Sequence, residues 1–151
     1  MSSDLSVVRF YSTSQQYGEL SNFAPYPITI RGKKWPSSEH FFQAMKFKDQ
    51  KLRETIRRAR SPFEAARLGR NRRSKIRRDW ESVKVGIMRE AIEAKFLQNM
   101  ELKEMLLGTG DAKLIEHTEN DSYWGDGGNG TGNNMLGKLL MELRDSLRKG
   151  D

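Results

Sequence analysis

The chain has no cysteine and only two histidines, His40 and His117. The lack of thiols excludes a disulfide scaffold, thiolate catalysis and any thiolate zinc ligand. Two imidazoles are too few for most transition-metal sites unless carboxylates complete the set. No run approaches the roughly 18 apolar residues of a membrane span. The opening MSSDLSVVRF lacks the basic-then-apolar layout of a secretion signal. No metal, no membrane partner and a cytoplasmic location are therefore expected.

What is present is a polar, basic chain. Of 151 residues, 31% are charged and 36% hydrophobic, and the mean hydropathy is −0.78. That length suits a single domain, 1–151. The net charge of +7 and a pI of about 9.8 favour an anionic partner such as a phosphate, a nucleotide or a nucleic acid. The charge is uneven. Residues 46–78 hold 14 basic and three acidic residues, whereas residues 101–126 hold seven acidic and two basic ones. The basic run reads either as solvated helix surface or as a phosphate site within RLGRNRRSKIRR (67–78), because the planar fork of arginine donates paired hydrogen bonds to phosphate.

The pattern of elements is mainly helical, an α+β class with a small β element near the N-terminus. VVRFYS (7–12) is β-branched and aromatic and reads as a strand, and ITIRGKKW (28–35) reads as a hairpin turning around Gly32. Residues 17–27 form an ordered aromatic loop. Ser37 or Ser38 can cap a helix through EHFFQAMKF. Leu52, Ile56 and Ala59 mark a second helical stripe. Ser61-Pro62-Phe63-Glu64 is a capping box with proline at the first helical position, in a helix ended by Gly69. A long helix follows Asp79, with Trp80, Val83, Ile87, Ala91 and Ala94 on one side. Met100–Leu107 extends it or adds a turn, stopped by Gly108 and Gly110. AKLIEH (112–117) reads as a short strand and MLGKLLMELRDSL as a closing helix.

Two segments carry possible chemistry. Glu39, Gln43 and Lys46 are spaced four, three and seven apart and so lie on one face of the same helix, with Glu39 and Lys46 about 10.5 Å apart along the axis. Beside the apolar Phe41, Phe42 and Met45, a lysine loses hydration, which favours its neutral, nucleophilic amine. A glutamate shielded by Phe42 and Trp35 suits proton transfer. The bland alternative is an amphipathic helix with its polar face in water. His40, beside two phenylalanines, reads as a hydrogen-bonded core residue. The second segment is the loop 122–134, with Gly125, Gly127, Gly128, Gly130 and Gly132 free to approach a ligand closely. Asn133 or Asn134 can cap the helix that follows, leaving its first N–H groups as an anion cradle. The loop contains neither a Walker motif nor a dinucleotide fingerprint. Trp80, Trp124, Tyr17 and Phe23 offer flat surfaces able to sandwich a base.

YGELSNFAPYPI, WPSSEHFFQAMKF, AARLGR, RRDWESVKVGIMREAIEAKF and HTENDSYWGDGGNGTGNNMLGKLLMELR occur here in that order. In these segments the chain resembles the NADAR (NAD- and ADP-ribose-associated), or YbiA-like, family over a core of about residues 8–147. The resemblance implies a YbiA-like multi-helical fold and N-glycosidase chemistry. The bond cleaved joins ribose to a nitrogen base in a phosphorylated N-riboside. The substrate is either a ribosylaminopyrimidine 5′-phosphate of riboflavin synthesis or ADP-ribosylated guanine in nucleic acid. Such bonds break through an oxocarbenium-like state that needs a proton delivered to the base. By the same resemblance Glu39 is the acid/base and Lys46 the candidate nucleophile. Ser21 and Asn22, with Phe23 beside them, orient the ribose. Trp80 and Trp124 line the base pocket, Gly125 and Gly128 lie in the ligand-facing loop, Asp126 supports sugar hydroxyls, and Arg67 and Arg70 take the phosphate. No bound cofactor is implied. The rival readings are a sensor that binds ADP-ribose or NAD without cleaving it and a nucleic-acid-binding module without catalysis.

Overall fold

The computed structural model describes residues 6–150. The part of the signal-peptide reading that concerns residues 1–5 therefore lies outside them. The fold is mainly helical, with six helices and four short strands among the described residues. None of those helices is long and apolar enough to cross a membrane. The chain's contacts divide it into two units, residues 22–98 and the flanking segments before residue 22 and after residue 98.

In the unit of residues 22–98 the first element is a hairpin. Its strands are β2 (Ile28–Ile30) and β3 (Lys33–Trp35), paired antiparallel with Ile28 opposite Trp35. Arg31 and Gly32 both have positive φ (55° and 77°), the two-residue turn whose twist matches that of the flanking strands. Ser37 then caps α1 (Ser38–Ala44), its hydroxyl accepting from the His40 N–H. All seven residues of α1 are buried, so the expected helix with a polar face in water is not what forms. Burying Phe41 alone stabilises by about 1.5–3 kcal/mol. Around α1 pack α2 (Gln50–Arg57), α3 (Pro62–Gly69) and α4 (Trp80–Leu97). Asp49 caps α2 through the N–H groups of Lys51 and Leu52. This cap was not anticipated, and Ala59 falls beyond the helix end. Ser61 caps α3 as expected, with Pro62 in its first turn. The Glu64 carboxylate, however, turns forward to Arg67. The buried face of α3 is Pro62, Ala65, Ala66 and Gly69, small residues that let it approach α1 closely.

In the other unit, β1 (Val7–Phe10) pairs parallel with β4 (Lys113–Glu116), so both expected strands are shorter than their sequence patterns. A separate helix, α5 (Met100–Gly108), precedes β4. The last helix, α6 (Met135–Gly150), lays Leu136, Leu139, Leu140, Leu143 and Leu147 along its buried face and packs on β4. Asn134 does not cap α6. It holds a positive φ of 51°, its Oδ1 accepts from the Glu116 N–H at 2.9 Å, and its Nδ2 donates to the Leu114 carbonyl at 2.9 Å. Asn134 thus completes the open edge of β4. Replacing it with alanine leaves those two backbone groups unpaired. The expected cost is about 2–4 kcal/mol, read as a lower urea midpoint at an unchanged m-value.

Candidate active site

Glu39 sits in the first turn of α1 and is 5% exposed. Its two oxygens are held by two amides. Asn22 Nδ2 donates to Oε1 at 3.0 Å, and Gln43 Nε2, one turn further along α1, donates to Oε2 at 2.7 Å. Asn22 is itself fixed by Ser38, whose hydroxyl donates to the Asn22 side-chain oxygen. Asn22, Ser38 and Gln43 are all buried. Burial pushes the Glu39 carboxyl above its ordinary pKa. The amides of Gln43 and Asn22 oppose that shift, as do the charges of Arg70 and Lys46.

Lys46 does not belong to α1. The helix ends at Ala44 with Met45 as its C-cap, and the Lys46 N–H closes a tighter turn onto the Gln43 carbonyl. The expected common face of three residues is therefore broken at the lysine. Lys46 turns to α3 instead, where its Nζ donates to the Gly69 carbonyl at 2.9 Å. Partial burial lowers its pKa; Glu39 opposes the shift and Arg70 reinforces it. The carboxyl and the amine are thus both displaced toward their neutral forms, the states in which one can give a proton and the other can attack carbon.

Arg70, the C-cap of α3, is exposed and its charge acts on both groups. Arg67 is instead committed to Glu64 on its own helix through a two-point ion pair. Trp80 is buried with its ring 5.1 Å from that of Phe42, and Trp35 packs edge-on against Phe41. Phe23 packs on Phe63 at 4.8 Å. His40 is the core residue expected. Its Nε2–H donates to the Ala59 carbonyl at 3.0 Å and its Nδ1 pairs with the Ser37 hydroxyl at 2.7 Å, with burial lowering its pKa.

The remaining expected site residues lie in the other unit. Ser21 is buried and follows the short 3₁₀ turn Gly18–Leu20. In the glycine loop, Asp126 is buried, and its carboxylate accepts from Thr118 N–H at 3.0 Å, Gly128 N–H at 2.8 Å and His117 Nδ1–H at 2.8 Å. Burial raises its pKa, but His117 and the two N–H groups outweigh that and hold it low. The carboxylate organises its own loop. Gly125 is packed against Thr118 and the carbonyls of Glu116 and Asp121, and Gly128 (φ +88°) against Glu119. Trp124 meets Tyr123 edge-on at 5.0 Å. The anion cradle at the start of α6 does not form. The N–H groups of Met135 and Leu136 are taken by the carbonyls of Tyr123 and Trp124. Among the described residues no three His, Cys, Asp or Glu side chains are grouped to hold a metal ion.

Ser38 and Gly69 are the members of this cluster that sequence reasoning missed as site residues. The 17-residue separation of Asn22 from Glu39 leaves no periodic signal, and Gly69 reads only as a helix stop.

Against known proteins, the NADAR domain model matches residues 9–148. N-glycosidase YbiA of Shigella boydii is 62% identical over 141 residues, covering 93% of this chain and 88% of the relative. The riboflavin biosynthesis protein VVA0006 of Vibrio vulnificus is 45% identical over 142 residues, covering 94% of this chain and 39% of that longer protein. The NMR structure of Escherichia coli YbiA superimposes with a TM-score of 0.89 at 59% identity, covering 96% of this chain and 86% of that one.

The Glu39 titration has a consequence for stability. Its pKa in the folded protein lies above the unfolded value, so the folded state favours the protonated form. The ionised carboxyl subtracts stability as pH rises from the unfolded value through the folded one. Glu39→Gln cannot ionise. Its urea midpoint relative to the parent should therefore move in the variant's favour as pH is raised from the ordinary carboxylate range through neutral. A difference constant across that range would mean that Glu39 titrates as an ordinary carboxyl.

Proposed function

The chain belongs to the NADAR family and is a hydrolase, an N-glycosidase, and from that premise we propose that it acts on ribosylaminopyrimidine 5′-phosphates through Glu39 and Lys46. The observation that carries this reading is the buried Glu39 held by two amides, with a half-buried lysine electrostatically coupled to it. A relative named as a riboflavin biosynthesis protein supports the substrate class.

In the proposed reaction the protonated Glu39 gives its proton to the departing base nitrogen as the C1′–N bond breaks. The neutral Lys46 amine forms a bond to C1′, and one of its nitrogen protons passes to the ring oxygen as the bond between C1′ and that oxygen breaks, leaving an iminium. Water then adds to C1′, the amine departs, and Glu39 recovers a proton. The sum is one N-glycoside and one water converted to a free base and a ribose phosphate. Asn22 and Gln43 keep the carboxyl oriented. Arg70 receives the phosphate, because its guanidinium is exposed and without an acidic partner among the described residues, whereas Arg67 is engaged by Glu64. Trp80 and Phe23 are the aromatic surfaces for the base on this side of the chain. Asp126 acts through the loop that it orders.

A second reading, removal of ADP-ribose from guanine in nucleic acid, is favoured by one observation. Residues 70–78 carry six basic side chains, and among the described residues only Arg77 has an acidic partner, Asp79. Nucleic acid as substrate would show KM values rising steeply with salt.

Glu39→Gln and Lys46→Ala should each lower turnover of the ribosylaminopyrimidine 5′-phosphate by about 100-fold or more, followed as release of free base. Borohydride added during turnover should leave a sugar adduct on Lys46, visible by mass spectrometry. If no adduct forms while turnover continues, water attacks C1′ directly.

Arg70→Ala should raise KM by about tenfold for the phosphorylated substrate, the size of one charge-assisted contact. It should leave KM nearly unchanged for the dephosphorylated substrate. Equal effects on the two would move the phosphate elsewhere.

A further inference from the structure

Gly69 is the last residue of α3, and its φ is not in the left-handed region. Backbone conformation therefore does not require glycine there, and alanine is the better helix former. What requires it is Gln43. A Cβ on residue 69 would stand 2.7 Å from Gln43 Cδ, 3.0 Å from its Cβ, and closer still to Oε1. Those atoms belong to the amide that holds Glu39 Oε2 at 2.7 Å. Gln43 is 4% exposed, and among the described residues its Oε1 has no hydrogen-bond partner. A buried acceptor left unpaired is costly. The amide tolerates that cost because its Nε2 has to face the carboxylate.

The same glycine serves the second reactive group, since its carbonyl accepts from Lys46 Nζ at 2.9 Å. One residue thus sets the place of both partners. Its missing side chain leaves room for the amide that orients Glu39, and its backbone oxygen fixes the ammonium. We propose that Gly69 is a positioning residue of the N-glycosidase, acting on Glu39 through Gln43 and on Lys46 through its own carbonyl. This rests on the assignment of Glu39 as the proton-transfer group.

The atoms nearest a methyl group on residue 69 are the Oε1 and Cδ end of a flexible side chain, with the less mobile Gln43 Cβ at 3.0 Å, and none is backbone. Gly69→Ala therefore disturbs the site first. The expected result is a folded enzyme with a lowered melting temperature, because a buried amide is displaced from a buried carboxyl, and with kcat for the ribosylaminopyrimidine 5′-phosphate down about tenfold or more, part of the 100-fold or more that a placed acid or base supplies. The limb of the pH–rate profile due to Glu39 moves to higher pH, because the displaced amide no longer favours the carboxylate. Gln43→Ala does the same. In the double variant Gln43 Cδ and Oε1 are gone and only the residue 43 Cβ at 3.0 Å remains, so G69A/Q43A falls close to Q43A alone.

Losses that multiply across the two substitutions, or a Gly69→Ala enzyme with parental kcat and an unmoved limb, would overturn the proposal. Should Gly69→Ala fail to fold, the double variant decides: recovery to the Q43A level supports it and continued misfolding refutes it. Glu39→Gln run alongside separates the two levels. An inactive Glu39→Gln with an unaffected Gly69→Ala sinks only the role of Gly69, whereas full turnover by Glu39→Gln sinks the acid–base assignment and the proposal with it.

Discussion

A carboxyl group taken out of water is the constraint from which the arrangement of residues 22–98 follows. An ionised carboxylate without partners is among the most expensive groups to bury. Glu39 is nearly inaccessible, so the chain has to supply donors at both of its oxygens, and it does so with the amides of Asn22 and Gln43. Asn22 in turn has to be held, which occupies the hydroxyl of Ser38. Each polar group added to this cluster creates the need for the next. The cluster therefore uses the short polar residues at the start of α1 and the loop that precedes the hairpin.

Burying Glu39 also dictates what surrounds α1. A seven-residue helix with no exposed face needs neighbours on every side. The hairpin, α2, α3 and α4 provide them, and α3 does so with a face of proline, alanine and glycine. Small residues allow the backbone of α3 to come close enough for a carbonyl to meet Lys46. Close packing and chemistry are here one requirement: a bulkier face would separate the helices and lose the lysine contact together with the room for Gln43.

Much of this was legible in the residues. Ser61-Pro62 announces α3, the turn around Gly32 announces the hairpin, and MLGKLLMELRDSL reads as the closing helix, because each signal is local. The misses are non-local. Lys46 looked continuous with Glu39 and Gln43 at helical spacing. The helix ends at Ala44, and the lysine finds a carbonyl 23 residues away. Asn134 looked like a cap, yet its amide is used by β4, a segment that pairs with it only through tertiary structure. Asp49 is an ordinary cap that was overlooked because the apolar stripe after it is weak, with Ile56 its one buried residue.

The two segments that looked chemical in the sequence differ in how their polar groups are spent. In the glycine loop the Asp126 carboxylate accepts three donors from its own segment, and the first N–H groups of α6 are met by loop carbonyls. That accounting is what a well-made structural loop requires. Around Glu39 it does not close. A carboxyl is held above its ordinary pKa, an amine below its own, and a buried amide oxygen lacks a partner. Folding alone gives no reason to keep such costs, since apolar residues of similar size would remove them. Proteins break local rules of this kind where a ligand or a reaction needs them. The imbalance, more than the presence of acidic and basic side chains, is what sets the α1–α3 cluster apart from the glycine loop and what the proposed role of Glu39 and Lys46 rests on.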